Sequence, residues 1–133
     1  MNGREIAQRA ARIADEKKGS DIVIYDLRGL SDVTDYFLIV TVQSKLQARA
    51  VVAAMEEEMK ARGVLPLGVE GAAGSQWILL DYADAVIHVF SPELRAYYSL
   101  ESLWGDAPKV PWPDDGSALK NADALSATRR GNP

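Results

Sequence analysis

Three carboxylates gather around two strand-like runs. Asp26 lies in DIVIYDL, and Asp32 and Asp35 sit in the loop RGLSDVTD that leads into YFLIVTV. Acids collected at strand ends can hold magnesium and serve phosphoryl transfer. Spacing weighs against this, because carboxylates on one strand face stand two residues apart and Asp32 and Asp35 are three apart. A nucleotidyltransferase site would also present a Gly-Ser pair before Asp-x-Asp, and this loop has neither. The simpler role for Asp32 and Thr34 is to order the loop by hydrogen-bonding nearby backbone.

The chain holds one histidine, His88, and no cysteine. A hydrolytic triad needs a base beside a nucleophile and an orienting acid, and no Gly-x-Ser-x-Gly elbow is present. Zinc needs three or four nitrogen or sulfur ligands, which a single imidazole does not provide. No P-loop and no Gly-x-Gly-x-x-Gly opens a helix, so the usual nucleotide cradles are missing. These absences assign no catalytic, metal or cofactor-binding residue.

Aromatic side chains offer a different chemistry, since Trp, Tyr and Arg are the commonest energetic anchors at protein interfaces. Trp77 stands in QWILLDYADAVIHVF, two alternating runs (76–82 and 85–90) split by Ala83-Asp84. Period-two alternation around a two-residue gap predicts a β-hairpin. The gap lacks the Asn-Gly or Asp-Gly of an ideal tight turn, which leaves the turn type open.

Pairing Tyr82 with Ala85 places Trp77, Leu79, Asp81, Val86, His88 and Phe90 on one face. Ile78, Leu80, Tyr82, Ala85, Ile87 and Val89 take the other, which is aliphatic and suits helices. The first face mixes aromatics, an imidazole and a carboxylate, and is expected to be half-open and covered by a partner. Trp77, Leu79 and Asp81, with His88 beside them, are the candidate contacts. Tyr82, Arg95, Tyr98 and Glu101 form a second rank. Tyr97 and Tyr98 are adjacent, so one must point away while the other packs.

The elements that must position these groups follow from pattern. Residues 2–18 read as a helix with Asn2 and Glu5 in a capping box and a stripe of Ile6, Ala10, Ile13 and Ala14. Residues 21–27 and 36–42 are apolar on both faces, which predicts two central strands. Ser44 caps a second helix running to about Arg62, with Ala48, Val51, Val52, Met55 and Met59 inward. Residues 65–70 are expected at a sheet edge, weakened by Pro66 and Gly68. Pro92 opens a short helix. The order α-β-β-α-β-β-β-α predicts an α/β (α+β) domain: a mixed sheet of about five strands with helices on one face.

At 133 residues the chain is one domain by length. The expected globular part is residues 1–106. A proline-containing extension and a polar tail, disordered by composition, make up residues 107–133. No apolar run reaches the roughly 18 residues of a membrane span. MNGREIAQRA lacks the apolar core of a signal peptide, and a cysteine-free chain suits a reducing compartment, so the expected location is the cytoplasm. A net charge of −4 leaves no basic face to grip phosphates, so little direct nucleic-acid contact is expected. An acidic domain suits a basic protein partner.

Three stretches, DVTDYFLIVTVQSKLQARAVV, GSQWILLDYADAVIHVF and RAYYSLESLWGDAP, together resemble the ribosomal silencing factor (RsfS, Iojap-related) family over roughly residues 3–112. The likeness rests on Thr34-Asp35-Tyr36-Phe37, Trp77, Leu80-Asp81-Tyr82, Val86-x-His88-Val89-Phe90, and Leu103-Trp104 with Asp106-Ala107-Pro108. Ala83 departs from the glycine usual in the family, and Thr41-Val42-Gln43-Ser44 departs from its usual turn.

The resemblance implies a translational repressor, not an enzyme, with a nucleotidyltransferase-like fold that lacks the catalytic motif. It implies binding to the large ribosomal subunit through ribosomal protein number fourteen, at the intersubunit face. Joining of the small subunit would then be sterically blocked when nutrients are scarce. It further implies a homodimer in isolation, and no cofactor. Two alternatives stand beside it: a divergent magnesium-dependent nucleotidyltransferase using Asp26, Asp32 and Asp35, and a dimeric adaptor with a non-ribosomal partner.

Overall fold

A computed structural model describes residues 1–71 and 76–112. The chain begins with α1 (Gly3–Glu16), closed at its start by a reciprocal capping box. The Asn2 side chain accepts from the Glu5 amide at 2.8 Å, and the Glu5 carboxylate accepts from the Asn2 amide at 2.9 Å. Ala7, Ala10, Ala11 and Ala14 are fully buried. Side chains this small let the helix axis lie close against a sheet.

The sheet is built from β1 (Ser20–Asp26), β2 (Tyr36–Thr41), β3 (Gly68–Glu70), β4 (Trp77–Asp81) and β5 (Ala85–Phe90). Its order is β1-β2-β5-β4-β3, with β2 and β5 parallel and the other neighbours antiparallel. Between β2 and β3 runs α2 (Lys45–Ala61), capped by Ser44, whose hydroxyl accepts from the Gln47 amide at 3.0 Å. Two short helices, α3 (Pro92–Tyr98) and α4 (Leu100–Leu103), follow β5. The mixed five-stranded sheet is the architecture expected from the pattern.

The two long helices share one face, where Ala48, Val51, Val52, Met55 and Met59 of α2 meet Leu38, Val40, Leu80 and Ile87. The opposite face carries a second, smaller cluster of Tyr25, Leu27, Ile39, Phe90 and Ala107. Leu94 of α3 and Leu100 of α4 lean on it. The short helices therefore add a partial layer where the long ones do not reach.

One expectation about the edges needs correction. β1 is not central but stands at an edge of the strand order. Its double-sided apolar pattern has another cause: residues 107–112 run along its outer side like a sixth strand. The Asp26 amide donates to the Pro108 carbonyl at 2.8 Å, and the Val110 amide to the Ile24 carbonyl at 2.9 Å. Gln8 Nε2 donates to the Pro111 carbonyl at 2.9 Å, and Trp112 Nε1 to the Ile22 carbonyl at 3.3 Å. Prolines suit such an outer strip, where they need not donate further.

Ala107 and Val110 are buried. The folded unit therefore continues past residue 106, as far as Trp112. The polar tail (114–133) and most of the 71–74 connection lie outside the described residues. At the other edge, β3 pairs only over Gly68–Glu70, consistent with Pro66 ending the ladder.

The β4–β5 turn closes with the Tyr82 amide donating to the Ala85 carbonyl at 2.9 Å, the pairing expected from parity. Ala83 takes φ +68°, and its amide donates to the Asp81 carboxylate at 2.8 Å. A β-carbon in this left-handed region clashes with the following carbonyl, a cost glycine escapes. Ala83→Gly is expected to stabilise the fold by about 1 kcal/mol, net of the entropy glycine adds to the unfolded chain. Urea unfolding should show a higher midpoint at constant slope, and thermal melting a rise of roughly 3–5 °C.

Candidate functional site

The hairpin register sets Trp77 opposite Phe90, Leu79 opposite His88 and Asp81 opposite Val86. Trp77, Leu79 and Asp81 thus share one face, each half-buried. Glu70, Gly71, Trp77 and Leu79 line a shallow cleft of about 200 Å³. Glu70 and Gly71 belong to β3 and its exit. Sequence reasoning missed them because only the β3–β4 register brings them beside Trp77.

Trp77 is held from several sides. Its indole N–H donates to His88 Nδ1 at 2.9 Å. Its ring meets Tyr98 at 5.1 Å, Phe90 at 5.2 Å and His88 at 5.7 Å between centroids. Aromatic pairs at such separations add to the stabilisation from burial alone. Tyr98 is 46% exposed and Tyr97 78%, so Tyr98 packs on Trp77 while Tyr97 points away. Leu103 of α4 is also exposed, while the exposed Val69 of β3 pairs with Leu80 and so lies on the opposite face of the sheet.

Four other candidates are buried or engaged within the fold. His88 is only 5% exposed and lies 4.4 Å from the Phe37 ring. Being buried, it supports the face from beneath and is not a contact on it. Tyr82 is equally buried, on the helix side of the sheet, where strand alternation puts it. Burial, with the Glu56 carboxylate nearby, pushes its hydroxyl up to about 12. Neither side chain is offered to a partner.

Arg95 and Glu101 form an internal clamp. The guanidinium donates two bonds to the Glu101 carboxylate at 2.9 and 3.0 Å and one to Thr41 Oγ1 at 2.8 Å. It also donates to the Asp21 carbonyl. Arg95 thus ties α3 and α4 to the ends of β1 and β2. Its hydrogen bonds hold the Glu101 carboxyl below the usual carboxylate range.

The acids near β1 and β2 do not assemble into a metal site. Asp26 is gripped by Arg28 at 2.7 and 3.0 Å, and those bonds hold its carboxyl below its ordinary value. Among the described residues, no three His, Cys, Asp or Glu side chains stand close enough to hold an ion. The loop is ordered locally: Thr34 Oγ1 donates to the Tyr36 carbonyl at 3.3 Å, and the Val33 amide donates to Ser31 Oγ at 3.1 Å. Among the same residues no helix is long and apolar enough to cross a membrane.

Comparison with known proteins adds a family context. The profile of a family described as ribosomal silencing factor during starvation matches residues 1–132. The ribosomal silencing factor RsfS of Bacillus subtilis is 40% identical over 108 residues, covering 81% of this chain and 92% of that protein. The mouse mitochondrial assembly of ribosomal large subunit protein 1 is 30% identical over 92 residues, covering 67% of this chain and 40% of that protein. A crystal structure of a Chromobacterium violaceum protein superposes with a TM-score of 0.75 at 31% identity, covering 88% of this chain and 97% of that one.

The buried imidazole makes stability depend on pH. Burial pushes His88 down from 6.5 to about 4, so the folded chain resists a proton that the unfolded chain takes up near pH 6.5. The contribution is complete above about pH 6.5 and is lost as pH falls from there to about 4. Over that interval it amounts to about 3 kcal/mol. NMR titration of the one histidine should give a midpoint near 4, and His88→Phe should lose less stability than the native chain between pH 7 and 4.5.

Proposed function

The chain belongs to the ribosomal silencing factor family, and on that footing we propose that it represses translation by occupying the intersubunit face of the large ribosomal subunit. It docks on ribosomal protein number fourteen through Trp77, Leu79 and Asp81, with Tyr98 at the rim, and so excludes the small subunit. No bond is made or broken; repression follows from mutually exclusive binding. The family description names ribosomal silencing during starvation, which fits engagement under nutrient limitation.

The observation that carries this reading is the Trp77 indole, half-buried and bracketed by His88, Phe90 and Tyr98 on a partly covered sheet face. A large aromatic anchor already held in one orientation loses little freedom on binding. Glu70 and Asp81 supply acidic neighbours, and the net charge of −4 favours encounter with a basic protein surface. A relative named for assembly of the ribosomal large subunit supports the choice of subunit. The free protein is proposed to pair with a second copy. Exposed Leu65, Leu67 and Val69 along the β3 edge are apolar surface that pairing would cover.

Co-sedimentation of the purified chain with isolated subunits tests the proposal. The native protein should travel with large subunits and not with small ones, and should reduce subunit joining. Trp77→Ala should cost about 2 kcal/mol of binding, roughly thirtyfold in affinity, with the fold intact. Failure to bind either subunit would overturn the reading.

A further inference from the structure

We propose that His88 is a positioning residue for the docking face: its imidazole fixes the Trp77 indole in the orientation a partner meets, without touching that partner. The inference rests on the reading that Trp77 docks. His88 lies inside the sheet, with Ile39 beside it on β2 and Leu79 on β4. Aliphatic or phenyl side chains would fill this place at less cost, because a buried polar ring must have its nitrogens satisfied. The imidazole is used: Nδ1 accepts the indole N–H at 2.9 Å.

Geometry makes the pairing specific. Trp77 and His88 are diagonal neighbours on one face of adjacent antiparallel strands, within reach of two ring side chains. An indole N–H is a donor only, and it must find water or an acceptor. Water would draw the ring outward, whereas Nδ1 draws its N–H edge down onto the sheet. There the ring lies 27° from the imidazole plane and 5.7 Å from its centroid. Tyr98 meets the same indole at 5.1 Å. The bond thus selects one rotamer before any partner arrives, which removes an ordering cost from binding.

Two arms keep this inference separable from the ribosomal reading. In the protein alone, nitrogen-15 NMR should show a scalar coupling between the Trp77 indole nitrogen and an imidazole nitrogen. The indole resonance is identified by its loss in Trp77→Phe. His88→Phe keeps a ring but removes the acceptor, and should move that resonance to a solvent-exposed position. His88→Asn keeps an acceptor near Nδ1 and should retain it. Absence of the coupling, with an unchanged indole signal in His88→Phe, would overturn the inference whether or not subunits bind.

In the binding arm, His88→Phe should weaken large-subunit affinity about threefold to tenfold, the scale of re-ordering one side chain. His88→Asn should recover part of that loss. In a Trp77→Phe background, which has no indole N–H, His88→Phe should change affinity less than twofold. An equal loss in both backgrounds would mean that His88 acts by another route, and would overturn the inference. If His88→Phe fails to fold, the native coupling and His88→Asn still decide it. Should the native chain bind no subunit, the ribosomal reading falls, and the NMR arm alone decides the orientation of Trp77.

Discussion

The register of β5 is the constraint on which the other placements depend. This strand is held parallel to β2 on one side and antiparallel to β4 on the other, and all six of its residues are buried. Because side chains alternate with period two, a slip of one residue would exchange the two faces. His88 would then enter the helix layer, and Ile87 would lie beneath Trp77. The aliphatic set (Ala85, Ile87 and Val89) packing under α1 and α2 forbids that slip. Burial on one face therefore determines the chemistry presented on the other.

The face away from the long helices is only partly covered, and a polar device sets how far. No residue of α3 or α4 is fully buried, so these helices contribute little hydrophobic anchorage of their own. Arg95 compensates by bonding Glu101, Thr41 and the Asp21 carbonyl together. A paired charge with its donors satisfied holds orientation more than it adds stability. Its effect is to seat Tyr98 against Trp77 while leaving Leu79 and Asp81 half-open. The clamp and the hairpin thus shape one surface from two directions.

Three of the polar groups that could suggest catalysis are engaged within the fold. Asp26 belongs to Arg28, and Thr34 caps its own loop. The one imidazole accepts from an indole. These side chains serve the shape of the fold.

Much of this was legible in the chain itself. Alternation in 76–90 determined the hairpin, its parity and the Trp77 face, because strand geometry has a fixed period of two. Helical stripes determined α1 and α2, and their caps were readable from Asn2, Glu5 and Ser44. Motif spacing was enough to suggest the family. Tertiary structure alone decided the strand order. An apolar run such as DIVIYDL reads the same at the centre of a sheet as at an edge sheathed by residues 107–112. It also decided that His88 and Tyr82 are supports within the fold and that Arg95 grips Glu101. Depth and long-range partners depend on which segments meet, and local periodicity carries no record of that.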